Sequence, residues 1–537
     1  MTLLEHEGRV ERGGSYRIRC VCACLALVVV LAVSGAFWYA TCGRKLVLVV
    51  LALFGAAPLA VLALHSVDVL SSEARRLSGF AAVLACSCVL FAVLFPPFSV
   101  ADEFHHYLSS YWLSDCVAGS AAVDRPETIE MRRDDWELYS DYGRRDDIMD
   151  YQTFTIDAAS YQKVADEFSW ARKYEGVHEV PEDVMFNFTL GGENVVAKVG
   201  SVAGMLLGRL LDLGAYPLFY LGRICSAFFY VVCVVAAVKL TPVGKNAMMV
   251  TALLPMTLQE AASYSYDGGT IGLSFLFLAL VCKAIFEEGP LGRGTLVALT
   301  ILSALLAPCK AIYVLEVGLV LLIPVRRFSS TRMAVVYKLM VLGIAAVALL
   351  VMRLSTISAV SSGTSTSAFP GERTYALSEL VSNPLGTVAL FLRTFEAYGD
   401  SYWMSAIGSN LGWLQSNLGT SAAFMAAYVF VLLYSSQRAS DDRVKLNCGM
   451  RAAFLGVAAL VWLAAMLSMA VSWTPNTASV IQGVQGRYIL PALPLLLLGL
   501  RSGRAFMMGR TFPIALVCVL TLNALYMVRF MALALAV

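Results

Sequence analysis

The chain of 537 residues is 58% hydrophobic and 15% charged, with a formal net charge of +2 at neutral pH. A water-soluble core cannot hide that much apolar surface, so the composition points to a membrane-embedded class with membrane lipids as its surroundings. The near-neutral balance, without a basic patch interleaved with aromatics, excludes a nucleic-acid partner.

Arg9, Arg12, Arg17 and Arg19 precede an apolar run that ends at Ala40. A bilayer core of about 30 Å needs about 20 residues of helix, so this run is read as a retained anchor rather than a cleaved leader. The same length test marks 46–65, 79–97, 216–238, 247–263 and 269–285, then 295–308, 311–324, 335–352, 421–437, 452–472, 488–500 and 512–532. The expected fold class is an all-α polytopic transmembrane protein with about 11–13 transmembrane helices.

Between the third and fourth spans, residues 98–195 carry 21 of the 38 acids against eight bases. Trp112, Trp136 and Trp170 supply apolar area, and Pro126, Gly143 and Pro181 divide the segment into short elements, so a folded acidic loop domain is expected. Residues 196–212, rich in glycine and containing Arg209, read as an amphipathic helix returning the chain to the bilayer. A second loop region covers 353–420, where the apolar stretch 386–398 is expected to lie along the outer leaflet. The organisation is then 1–78 (N-terminus and two spans), a membrane core 79–352 that includes the loop domain, the region 353–420, and C-terminal spans 421–537.

Lysine and arginine in short loops set orientation. Arg75 with Arg76, Lys239 with Lys245, Arg326 with Arg327, Arg438 with Arg443, and Arg501 with Arg504 fall on one side when the spans alternate. That side is read as the cytoplasm, with the N-terminus on it and 98–195 outside; Arg44 and Lys45 run against the rule.

The third span ends in Pro96-Pro97, and Asp102, Glu103, His105, His106 and Tyr107 follow within a few residues. On a helix Asp102 and His106 share a face while Glu103 points about 100° away, so one acid can face a cleft while the other serves the scaffold. Glu260, Asp267, Lys310, Arg487 and, deeper, Arg223 fall at the same level of other spans. Each alone could cap a helix or snorkel; together they suggest a polar cavity, because ionisable groups at membrane depth need partners or water. Such a cavity suits a lipid-linked phosphate, held by Arg487 or Lys310 opposite a carboxylate that takes a proton.

Asp102-Glu103-x-x-His106-Tyr107, Tyr216-Pro217 through Arg223, Leu254-Pro255 leading to Ser263-x-Ser265-x-Asp267-Gly268, Lys310 with Tyr313, and Gln485-Gly486-Arg487-Tyr488 occur in that order. The ordered set resembles the bacterial multi-pass membrane family catalogued as domain of unknown function 2142, grouped by similarity with the C-type (GT-C) glycosyltransferases. Ala101 stands where that family usually has a proline. The resemblance implies a GT-C-like fold in a bacterial plasma membrane. It also implies a sugar transferred with inversion from a polyprenyl-phosphate donor to a glycan or other envelope acceptor on the outer face. Asp102 would be the general base, with His106 beside it and Glu103 a supporting carboxylate or a ligand to a divalent cation. Arg223, Asp267, Lys310, Gln485, Arg487 and Tyr488 would bind substrate. A lipid-linked glycan transporter or polymerase, or a non-catalytic envelope assembly protein, would need a similar charged surface.

Overall fold

The computed structural model describes residues 3–67, 69–119, 129–143, 156–181, 194–361, 371–411, 414–438, 444–502 and 511–536. Parts of the acidic loop and the Ser/Thr-rich segment 362–370 lie outside them. Among the described residues, eight helices are long and apolar enough to cross a bilayer: Arg19–Cys42, Leu46–Ser66, Glu73–Leu94, Ala215–Leu240, Tyr266–Phe286, Thr331–Arg353, Cys448–Ser472 and Pro513–Leu535. Arg293–Leu306, Ala311–Leu322 and Ala422–Ser436 are shorter apolar segments. The fold is that of an all-α polytopic membrane protein. Burial separates centre from rim: 83% of the apolar window of Tyr266–Phe286 is buried, against 17% for Thr331–Arg353.

Two expected spans are broken where proline stands. Residues 247–263 divide into Lys245–Ala252 and Pro255–Ala261, and 488–500 into the turn Gly486–Ile489 and the helix Leu493–Leu500. A proline has no N–H for the preceding turn, so carbonyls at the first break need other donors. Tyr230 donates to the Ala252 carbonyl at 3.0 Å and Asn523 to that of Leu253 at 2.8 Å. Broken backbone at membrane depth is tolerated where protein surrounds it, as here. The stretch 386–398 lies within the longer helix Pro384–Ile407, whose C-terminal part packs against the turn 486–489.

Basic loops gather at one end of the helices. Lys245 pairs with Glu73, Arg327 donates to the Ala284 carbonyl at 2.9 Å, and Arg451 donates to that of Gly499 at 3.1 Å. Asp267 stands at the opposite end of Tyr266–Phe286 from the Arg327 contact, in its first turn.

The loop domain holds Glu103–Ala118, Arg133–Gly143, Ala158–Glu167 and a short antiparallel ribbon of Glu130–Arg132 with Val177–Glu179. Its acids are partly scaffold. Asp134 accepts the N–H groups of Lys173 at 2.8 Å, Tyr174 at 3.2 Å and Ala215 at 2.6 Å, which ties the domain to the start of Ala215–Leu240. The glycine-rich stretch forms Val199–Leu210, with Gly200 and Gly204 against the backbone of Ala215–Leu240, while Leu210 and Leu211 stay exposed.

Candidate functional site

Pro96 leaves the carbonyl of Ala92, four residues earlier, without its helical donor. Arg223 fills that place from the neighbouring helix. Its Nη1 donates to Ala92 O at 3.0 Å and Phe95 O at 2.6 Å, and its Nη2 to Pro96 O at 3.0 Å. The Nε meets Glu103 Oε1 at 2.8 Å and Nη2 meets Oε2 at 2.5 Å, so all five guanidinium donors are occupied. Glu103 Oε1 also accepts from Tyr264 N–H at 3.2 Å, and both members of the pair are fully buried. The pair therefore locks the start of Glu103–Ala118 to a helix end, a second helix and the turn 263–265. Of the two adjacent acids, Glu103 is thus the one that serves the scaffold, and neither it nor Arg223 presents an exposed polar edge.

Asp102, one residue earlier, has a different position. It stands at the N-cap position of Glu103–Ala118 without a side-chain capping bond, in the left-handed region at φ 59°, which non-glycine residues adopt at some cost and which recurs where structure is held for function. Its Oδ2 accepts from Arg487 Nη2 at 2.9 Å. Arg487 Nη1 donates to Glu260 Oε1 at 2.8 Å, and Nε lies 3.2 Å from Asp267 Oδ2. One guanidinium thus gathers three carboxylates from three elements.

Close backbone contacts set this convergence. A Cβ on Gly268 would stand 2.7 Å from Glu260 O and 2.6 Å from Ala261 Cα, so glycine lets the first turn of Tyr266–Phe286 lie against Pro255–Ala261. Asp267 and Glu260 are neighbours for that reason. A Cβ on Gly486 would fall 2.0 Å from Tyr402 O, so the turn carrying Arg487 is seated directly on Pro384–Ile407. Gln485 opens that turn, its carbonyl accepting from Tyr488 N–H at 3.1 Å.

Lys310 extends the cluster. Its Nζ is 3.5 Å from Asp267 Oδ1 and 3.7 Å from the centre of the Tyr488 ring, a cation–π distance. The Tyr488 carbonyl accepts from Tyr313 Oη at 3.0 Å, which fixes the turn from the other side. His106 sits one turn after Asp102, edge-on to Tyr266 at 4.9 Å between ring centres. Burial, with the nearby charges of Lys198 and Arg487, depresses its basicity well below the ordinary histidine value, so the imidazole is neutral.

Exposure separates the acids. The Asp102 side chain is 38% exposed, against 8% for Asp267, 1% for Glu260 and 0% for Glu103. Arg487 is 6% exposed and each of its nitrogens lies near a carboxylate, so it is engaged by the protein's own acids. The Lys310 side chain, at 18%, is more exposed than that of Arg487.

The structure thus brings together Asp102, His106, Asp267, Lys310, Arg487 and Tyr488, with Gln485 at the rim, and seals Glu103 with Arg223 below them. Glu260 belongs at the centre, a place its solitary acid in an apolar segment already signalled. Lys198, buried and donating to Ser109, is a further cation near the histidines that the glycine-rich sequence around it did not single out.

The model of a family described as "Predicted membrane protein (DUF2142)" matches residues 84–496. No curated protein and no solved structure matches the chain.

Proposed function

The chain belongs to the DUF2142 family of predicted membrane proteins, and from its arginine-centred carboxylates we propose a membrane-embedded glycosyltransferase acting on a polyprenyl-phosphate-linked sugar at the extracytoplasmic face. The observation that carries this reading is the single open acid, Asp102, on an otherwise buried charge centre.

Asp102 is the general base. It takes the proton of an acceptor hydroxyl as that oxygen forms its bond to the anomeric carbon, and the bond from that carbon to the phosphate oxygen breaks with inversion. Lys310, one of the two cations expected to bind phosphate, holds the departing polyprenyl phosphate as a compact point charge. Arg487 is a positioning residue. Its bond to Asp102 keeps the carboxylate directed, and Glu260 and Asp267 hold the guanidinium in turn. Tyr488 and Tyr266 flank Lys310 and provide flat apolar surfaces beside the phosphate site. Glu103 and Arg223 serve as the foundation of this arrangement.

The test is incubation of the purified protein in lipid nanodiscs with a radiolabelled polyprenyl-phosphate sugar and a pool of envelope glycan acceptors. Loss of the donor, with label appearing on an acceptor or as free sugar, is expected, and Lys310→Ala should weaken donor binding. Passage of the intact lipid-linked sugar across a liposome bilayer without cleavage would overturn the reading in favour of a transporter.

A further inference from the structure

The resemblance allows for a divalent cation beside Glu103, and the residues here do not fit one. Glu103 has both oxygens bound by Arg223 and one of them also by a backbone N–H. Asp102, Glu260 and Asp267 converge from three elements, yet among the described residues no three acids or histidines lie close enough together to hold a metal ion. The point of convergence is filled by the Arg487 guanidinium, with contacts of 2.9, 2.8 and 3.2 Å.

We propose that Arg487 is the resident cation of this centre, holding Asp102, Glu260 and Asp267 at guanidinium spacing in place of a divalent metal ion. The geometry favours arginine for this part. A planar fork with donors on three sides can address three carboxylates at once, and arginine stays charged when buried. Lysine could not span them. Two buried acids and a third at the opening would repel one another without a central cation, so their close approach depends on Arg487. Gly486 and Gly268 are part of the same device, since they bring the turn of Arg487 and the turn of Asp267 close enough for the fork to reach.

The inference rests on the geometry of the charge cluster and is tested without donor, so it can fail while the sugar-transfer reading stands, and the reverse. The probe is Mn²⁺, followed by electron paramagnetic resonance and by thermal unfolding on the full-length protein in nanodiscs. Wild type is expected to bind no tight Mn²⁺ and to keep its unfolding midpoint in the presence of a chelator. Arg487→Ala is expected to bind one Mn²⁺, which restores part of the midpoint lost by the substitution, and Asp267→Asn in that background is expected to abolish the binding. Arg487→Lys, which keeps the charge, is expected to bind no Mn²⁺ and to recover the midpoint only in part. A tight Mn²⁺ site in wild type that Glu260→Gln or Asp267→Asn removes would overturn the proposal. So would a folded Arg487→Ala protein without Mn²⁺ affinity, since the acids would then not be arranged around a cation. Should Arg487→Ala not fold, the wild-type Mn²⁺ and chelator result decides alone.

Discussion

Adjacent residues of like charge acquire opposite fates from backbone geometry. Glu103 lies inside the first turn of its helix and points into protein, whereas Asp102 stands outside that turn and faces the opening. The 100° offset between neighbours on a helix already predicted such a division from sequence. Which acid would be buried depended on Arg223, whose partner 120 positions earlier in the chain no local pattern reveals. Removing one member of a buried pair leaves an uncompensated charge, so Glu103→Gln should cost about 3–5 kcal/mol and lower the yield of folded protein. Thermal unfolding and monodisperse yield in detergent measure it, and a variant as stable as wild type would show that the pair carries no scaffold role. His106 makes stability pH-dependent. Its folded value lies below the unfolded 6.5, so the unfolded chain binds the extra proton first, and stability held above that pH is lost as pH falls through it. His105 is depressed in the same direction, mainly by burial. His106→Gln should therefore flatten the fall in unfolding midpoint between about pH 7.5 and 5.5, and an unchanged slope would assign the acid sensitivity elsewhere.

Elements were legible wherever length and apolar content carried the information. The eight long spans follow from hydropathy because only a helix satisfies its own backbone in lipid. The breaks at Pro255 and in 488–500 were less so, because the run of apolar residues continues across them; what permits them is a pair of distant side chains, Tyr230 and Asn523, under the first break. The motif glycines were visible as residues, but their reason was not. Gly486 is required by the carbonyl of Tyr402, on a helix about 80 residues earlier that continues beyond the apolar stretch 386–398. Gly486→Ala must push that helix and the Arg487 turn apart, a loss of about 1–3 kcal/mol typical of overpacking. A drop in unfolding midpoint together with weaker donor binding is expected; unchanged values for both would mean that the two segments are not in contact.

At the scale of the whole molecule, the charge cluster and the basic loops occupy opposite ends of the same helices, as Asp267 and the Arg327 contact do on Tyr266–Phe286. The excess of lysine and arginine in short loops is the basis for proposing that the latter end faces the cytoplasm, and Asp102 and the loop domain are then expected to face outside. A single cysteine placed near residue 174, after replacement of Cys116 and other accessible thiols, should react with an impermeant maleimide in intact cells. Reaction only after lysis would reverse the orientation and separate the site from an extracytoplasmic donor.

The most direct measurement of the central claim compares Asp102→Asn with wild type, per folded molecule, in transfer from the polyprenyl-phosphate-linked sugar. Asparagine keeps the size of the side chain and an oxygen for Arg487, so the variant should unfold close to the wild-type midpoint while losing about 10²–10⁴-fold in turnover, the usual contribution of a general base. Wild-type turnover from a well-folded Asp102→Asn protein would contradict the account, because the one open carboxylate of the centre would then have no part in the chemistry.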